Sequence, residues 1–199
     1  EACQGDEALQ REVERLLKLV QRVYRDFGLE SEAKLSTRPA QFLGEVATWD
    51  HAEASLRTAL ELAGQPYTVN DGDGAFYGPK IDFDVMDAIG RKWQCATIQL
   101  DYAQPENFDL KYIGADNSEH RPVVIHRAIF GSLERFIALL IEHYAGAFQL
   151  WLAPVQAIVQ PIADRHLEYA KMARERLVAA GLRVEIDGRQ EKIGFKIRE

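Results

Sequence analysis

Two cysteines, Cys3 and Cys95, are all that the 199 residues contain. One pair cannot build a disulfide framework, so a reducing, cytoplasmic setting is expected. Long apolar runs are equally scarce. The longest, around Phe136 to Ile141, is far short of the ~20 residues a membrane helix needs, and no membrane partner is expected. No basic segment followed by an apolar one opens the chain, so no secretory signal is visible. Positive charge is in deficit: 24 Lys and Arg face 31 Asp and Glu, a net of −7. That balance argues against a chain that grips nucleic acid along its whole length. What is present is ordinary globular material, 47% hydrophobic and 28% charged, which excludes disorder and low complexity.

The charge is unevenly placed. From residue 151 onward nine basic residues outnumber seven acidic ones, while the first 150 residues carry fifteen against twenty-four. An acidic body of net −9 is followed by a segment of net +2, which is a different object from a uniformly acidic protein. The chain begins with Glu1 and stops at Glu199 inside what reads as a helix, so it reads as an excerpt.

Periodicity sets the organisation. Leu9, Val13, Leu16, Leu17, Val20, Val23 and Phe27 predict an amphipathic helix, capped by Asp6 and ended at Gly28. A short strand is expected at 33–36 and a second helix from Thr48 to a Gly64 stop. From Pro66 the period becomes two. Strands are expected at 67–70, 81–85 and 93–102 in an antiparallel meander, with another at 108–113. Residues 114–121 read as a loop, 122–128 as a buried strand and 132–145 as a helix. After Pro154 the pattern is strand (155–162), helix (164–180), strand (182–186) and a helix from Gln190, which is a parallel α/β arrangement. A domain boundary is expected near residue 150.

Four segments carry chemistry. Asp71–Lys80 (DGDGAFYGPK) is either a flexible β-turn or a loop whose glycines let backbone approach a ligand beside Tyr77 and Lys80. The strand at 93–102 puts Trp93, Cys95, Thr97, Gln99 and Asp101 on one ideal face. Polar side chains in such a row either face water or are satisfied by a polar ligand. His126 lies in the apolar stretch Pro122–Ala128, where a lone histidine is more often a satisfied core residue than a metal ligand. The cysteines and histidines show no CxxC, HxxxH or HExxH spacing, so no metal site assembles by motif. Gly131–Phe136 (GSLERF) opens a helix, where Ser132 is an N-cap and Arg135, one turn in, can reach an anion.

In combination these segments are distinctive. GAFYGPK, WQCATIQLDY, PVVIHRAIFGSLERF, WLAPVQ and EKIGFKIRE, in this order, resemble the threonyl-tRNA synthetase family of class II over essentially the whole chain. The implied fold is an α+β class II synthetase catalytic core, an antiparallel sheet flanked by helices, over residues 1–150. A truncated α/β anticodon-binding domain follows over 151–199. The implied activity is ATP-dependent formation of threonyl-adenylate and transfer to the 3′ end of tRNA(Thr) by a homodimer. Arg135 and Lys80 take catalytic roles in this resemblance. Tyr77, Gln94, Thr97, Gln99, Asp101, Ser132 and Arg135 bind threonine or ATP, with Mg²⁺ accompanying the nucleotide. His126 becomes a Zn²⁺ ligand, the metal holding the threonine amino group and hydroxyl. Valine, isosteric with threonine, would be separated only about 10²-fold by an apolar pocket. A metal that requires the hydroxyl leaves valine one bond short.

Gln94 falls on the opposite face of an ideal strand from Gln99, so the role implied for it requires a β-bulge. The family's other two zinc ligands and its motif 1 and 2 segments have no counterpart among these residues, and Cys3 and Cys95 do not match them. The excerpt alone is therefore expected not to form threonyl-adenylate. Where the family often has asparagine after the residue matching Arg189, this chain has Gln190. Two alternatives stand beside this reading: a non-catalytic synthetase-like binding protein, marked by decay at His126, Ser132 or Arg135, and another class IIa synthetase.

Overall fold

A computed structural model describes residues 2–3 and 6–198; the side chains of Ala2, Cys3 and Asp6, the last an expected helix cap, lie outside what is described. Strand β1 (Ala2–Cys3) precedes helix α1 (Asp6–Asp26). Leu9, Val13, Leu16, Leu17, Val20 and Tyr24 form its buried stripe; Tyr24, not Val23, fills the fifth turn. Tyr24 Oη donates to the carbonyl of Ile129 at 2.8 Å, and burial pushes the phenol well above its usual range. Gly28, at φ +66°, turns the chain out of the helix, and the Leu29 amide donates back to Tyr24 O at 2.8 Å.

Strand β2 (Ser31–Ser36), helix α2 (Val46–Leu62) and strand β3 (Tyr67–Asn70) form one crossover unit. The helix between them lets β2 and β3 pair in parallel. Strands β4 (Lys80–Met86) and β5 (Lys92–Asp101) make an antiparallel hairpin about Gly90, whose φ is +82°. Then come α3 (Ala103–Asn107), the short hairpin β6 (Tyr112–Ile113) and β7 (Glu119–His120), β8 (Val123–Ala128) and α4 (Leu133–Tyr144).

The six-stranded sheet runs β1-β8-β5-β4-β2-β3. It corrects two expectations. The meander is interrupted, because β2 lies between β3 and β4, so the sheet is mixed rather than wholly antiparallel. The strand expected over 108–113 is reduced to β6, because the helical turn of α3 ends just before it and Asp109 turns the chain at φ +45°. The 114–121 loop carries β7. Ile81, Phe83, Val85, Ala96, Ile98 and Leu100 are fully buried in the core beneath the sheet. An aromatic cluster closes its end: Phe136 lies 5.2 Å from Phe27 and 4.6 Å from Phe130.

Backbone contacts divide the chain into Glu1–His143 and Tyr144–Glu199, where a boundary near 150 was expected. In the second unit β9 (Ala157–Val159) pairs in parallel with β10 (Val184–Ile186) across α5 (Leu167–Ala179), and α6 (Ile193–Lys196) follows. Both strands are shorter than the apolar pattern suggests; Pro161 cannot donate to a ladder. A 3₁₀ turn at Asp164–His166 replaces the first turn of the expected helix.

Candidate active site

The polar row of β5 depends on a bulge. Phe83 pairs with Ala96, but Asp84 pairs with Gln94, so Cys95 is an extra residue in the ladder. Cys95 and Ala96 are both buried, and the alternation resumes with Gln94 and Thr97 on one face. Gln94 Nε2 lies 3.0 Å from Thr97 Oγ1. The bulge thus brings Gln94 to the side of Thr97 and Gln99, against the ideal-strand placement.

A second group gathers at the end of β5. Asp101 is fully buried, and its Oδ2 lies 2.7 Å from His126 Nε2 across the β5–β8 ladder. Its Oδ1 accepts the Gln104 amide at 2.9 Å, at the start of α3. Tyr77 Oη donates to Gln99 Oε1 at 2.9 Å, and its ring stands edge-on to His126 at 5.9 Å. Gly78 makes that placement possible. A Cβ there would lie 1.8 Å from the Leu100 carbonyl oxygen, so only glycine lets the Tyr77 loop lie on β5.

Lys80 is held by two carboxylates. Its Nζ is 2.8 Å from Asp82 Oδ2 and 3.5 Å from Asp73 Oδ2. Desolvation works against its charge, yet the hydrogen bond and charge of Asp82, with Asp73 adding, leave its pKa raised. Lys80 is therefore an ion-paired ammonium rather than a bare cation awaiting an anion.

Arg135 stands at the other end of the row. Its guanidinium donates to Gln94 O at 3.3 Å and lies 5.4 Å from the Trp93 ring centroid. Arg91 lies at the same distance from that ring. Ser132 Oγ accepts the Arg135 amide at 3.3 Å and donates to Glu134 at 2.7 Å, so it caps α4. The hydrogen bond from Ser132 holds the Glu134 carboxyl below its usual range.

Of the nine sequence-selected residues, Lys80, Gln94, Thr97, Gln99, Asp101 and His126 lie on β4, β5 and β8, Tyr77 and Ser132 in the flanking loops, and Arg135 in the first turn of α4. Sequence reasoning missed Asp82 and the pair Asp87 and Arg91 beside Trp93. Asp87 accepts from Trp93 Nε1 at 3.0 Å and from Arg91; these bonds outweigh desolvation and hold its carboxyl well below the ordinary range. A legible signal existed for Asp82: a carboxylate in a strand otherwise written Ile-x-Phe-x-Val must find donors on the sheet's second face. A cleft of about 400 Å³ lies elsewhere in this unit, lined by Trp49, Gly78, Tyr102 and Glu106; of the nine residues only Tyr77 borders it.

A zinc ion would find one ligand here. Asp101 holds Nε2 of His126, which orients the ring and leaves Nδ1 as the nitrogen a metal could reach. Among the described residues no three His, Cys, Asp or Glu side chains gather as a metal site. Burial pushes the Cys95 thiol up, away from the thiolate a metal requires.

Residues 1–144 match the tRNA synthetase class II core domain (G, H, P, S and T). The chain belongs to the class II tRNA synthetases. Residues 156–199 match the anticodon-binding domain that accompanies such cores here. The chain is 59% identical over 191 residues to the threonine–tRNA ligase of Symbiobacterium thermophilum, covering 96% of this chain and 29% of that protein. It is 58% identical over 193 residues to that of Anaeromyxobacter dehalogenans, covering 97% and 30%. The chain thus spans under a third of the length of these curated relatives. Among solved structures, the RNA binding domain of threonyl-tRNA synthetase from Cryptosporidium parvum Iowa II superposes with a TM-score of 0.92 at 42% identity, covering 99% of this chain and 50% of that one. A putative threonyl-tRNA synthetase from Aeropyrum pernix gives 0.78 at 28% identity, covering 97% and 47%. In the second unit of this class II chain, Gln190 Nε2 donates to Asp164 Oδ2 at 3.1 Å beside a cleft of about 420 Å³ that both residues line.

Proposed function

We propose that this chain is the part of a threonine–tRNA ligase that holds one wall of the adenylation site and the first part of its tRNA-reading domain. The observation that carries this reading is the Tyr77–Gln99 and His126–Asp101 pairs set on one polar row with Arg135. Buried Gln99 and Asp101 fix Tyr77 and His126 in place, and such a preset row of polar groups suits a bound amino acid and nucleotide. The substrates are L-threonine, ATP with Mg²⁺, and tRNA(Thr), handled by a cytoplasmic homodimer.

Each residue has work that its position allows. His126, oriented by Asp101, would supply one Zn²⁺ ligand through Nδ1, and the metal, when bound, would supply a Lewis acid for the threonine amino group and hydroxyl. Tyr77 and Gln99 wall the amino-acid side, and Ser132 stands at the α4 corner. Arg135, backed by the Trp93 ring, meets the ATP polyphosphate, where a fixed guanidinium neutralises charge. Gln94 and Thr97 line the nucleotide side. The chemistry is attack of the threonine carboxylate on the α-phosphate with departure of pyrophosphate, promoted by positioning more than by proton transfer.

The test is a chimera in which these 199 residues replace the matching segment of the Symbiobacterium thermophilum ligase. Threonine-dependent ATP–pyrophosphate exchange is expected from the chimera and not from the 199-residue chain alone. A folded chimera that binds threonine without exchange would favour a non-catalytic module.

A further inference from the structure

Asp82 collects more of this site than any residue selected from sequence. It is 3% exposed and lies directly across the β4–β5 ladder from Thr97. Its Oδ1 accepts Gln94 Nε2 at 2.6 Å and Thr97 Oγ1 at 2.8 Å. Its Oδ2 accepts Lys80 Nζ at 2.8 Å and Ser36 Oγ at 3.2 Å. A carboxylate has about four acceptor positions, and here four donors occupy them. Two of those donors, Gln94 and Thr97, line the nucleotide side in the proposed function, and a third, Lys80, stands beside them on β4.

We infer that Asp82 is a positioning residue for adenylation: it fixes Gln94, Thr97 and Lys80 in the arrangement that receives ATP. This rests on the proposed function above. Asp82 also decides what each of the three can offer. The Thr97 hydroxyl proton is committed to Asp82, so Thr97 presents lone pairs to its surroundings. Gln94 directs its amide nitrogen inward to Asp82 and Thr97, so its Oε1 is the atom left for a ligand. Lys80 is drawn onto the strand surface with its charge balanced before any ligand arrives. The carboxylate of the neighbouring Asp84, two residues on, pairs instead with Lys34. The bulge at Cys95 is what allows Gln94 and Thr97 to reach one carboxylate, since an ideal strand would send them to opposite faces.

Asp82→Asn tests this because it keeps the shape and replaces one acceptor oxygen with a donor. Whichever way the amide turns, a donor then faces a donor. In the chimera, D82N is expected to lower kcat/KM for ATP in threonine-dependent exchange about 10²-fold, the cost of a displaced reacting group. The KM for threonine should stay within about threefold. A purely structural carboxylate would lower Tm and leave these constants unchanged below the melting range. Ser36→Ala removes the donor outside the site and is expected to lower Tm with kinetics intact. The double variant D82N/T97V should lose no more activity than D82N alone, because Asp82 acts through Thr97. Additive losses, or D82N kinetics within threefold of the parent, overturn the inference. Asp82→Ser, which admits a water, replaces D82N if that variant does not fold. An inactive parent chimera sinks the function and not the hub. In that case hydrogen exchange of the Gln94 side-chain amide in the 199-residue chain decides: it should accelerate in D82N, and an unchanged rate overturns the inference.

Discussion

Gly131 lies against the carbonyl oxygen of Cys95, close enough that a Cβ at residue 131 would stand 2.9 Å from it. Its φ of +65° adds a second reason for glycine. The corner that launches α4 is therefore seated on the bulge of β5, and Arg135, one turn into α4, reaches the Gln94 carbonyl next to that bulge. One irregularity in one strand places both Gln94 and Arg135 at this end of the polar row.

Gly131→Ala should consequently cost about 1–3 kcal/mol of stability from the left-handed backbone alone, with further loss from the contact. Gly90→Ala is the control, since φ there is +82° but no atom lies within 4 Å of an added Cβ. Urea unfolding of both variants checks this. Equal losses would mean that the Cys95 contact has no weight.

Tyr77→Phe removes the donor to Gln99 Oε1, an atom of a side chain only 8% exposed. Leaving a buried acceptor without its partner costs about 1–3 kcal/mol. In the active chimera the KM for threonine should rise while that for ATP holds. A rise in both would place Tyr77 elsewhere than on the amino-acid wall.

Asp101→Asn should weaken zinc binding about 10–100-fold through loss of the carboxylate behind His126. Competition with a chromophoric chelator measures this directly in the chimera. His126→Ala should abolish zinc retention and threonine activation together, whereas full retention would remove His126 from the ligand set.

Asp187 gives a pH signature for the second unit. Hydrogen bonds from Arg189 lead the effects that lower its carboxyl from 3.8 to about 2, and Lys196 adds to them. A depressed carboxyl contributes stability that is present above its ordinary value and lost as pH falls toward its folded one. Stability should therefore decline between pH 3.8 and about 2, and Asp187→Asn should flatten that part of the curve. Superimposable acid limbs for the two proteins would contradict this.

Much of the architecture is written in local patterns. The 3.6-residue stripe of α1, the alternation of β4 and the strand–helix–strand rhythm after Pro154 each depend on which faces meet a core, and neighbours in sequence record that. The segments around Tyr77, His126 and Arg135 are local as well, and so the family was legible. Three features were decided only by the folded chain. Strand β2 entered between β3 and β4 because pairing partners are chosen by the whole sheet, not by proximity in sequence. Gln94 joined the face of Thr97 because the Cys95 bulge reset the alternation, an event that strand periodicity cannot encode. Lys80 became half of an ion pair because Asp82, two residues away on the same strand face, is buried and needs counter-charge. Sequence determined which polar side chains are available to the candidate site; the sheet decided which of them share one carboxylate, because hydrogen-bond geometry is set by register.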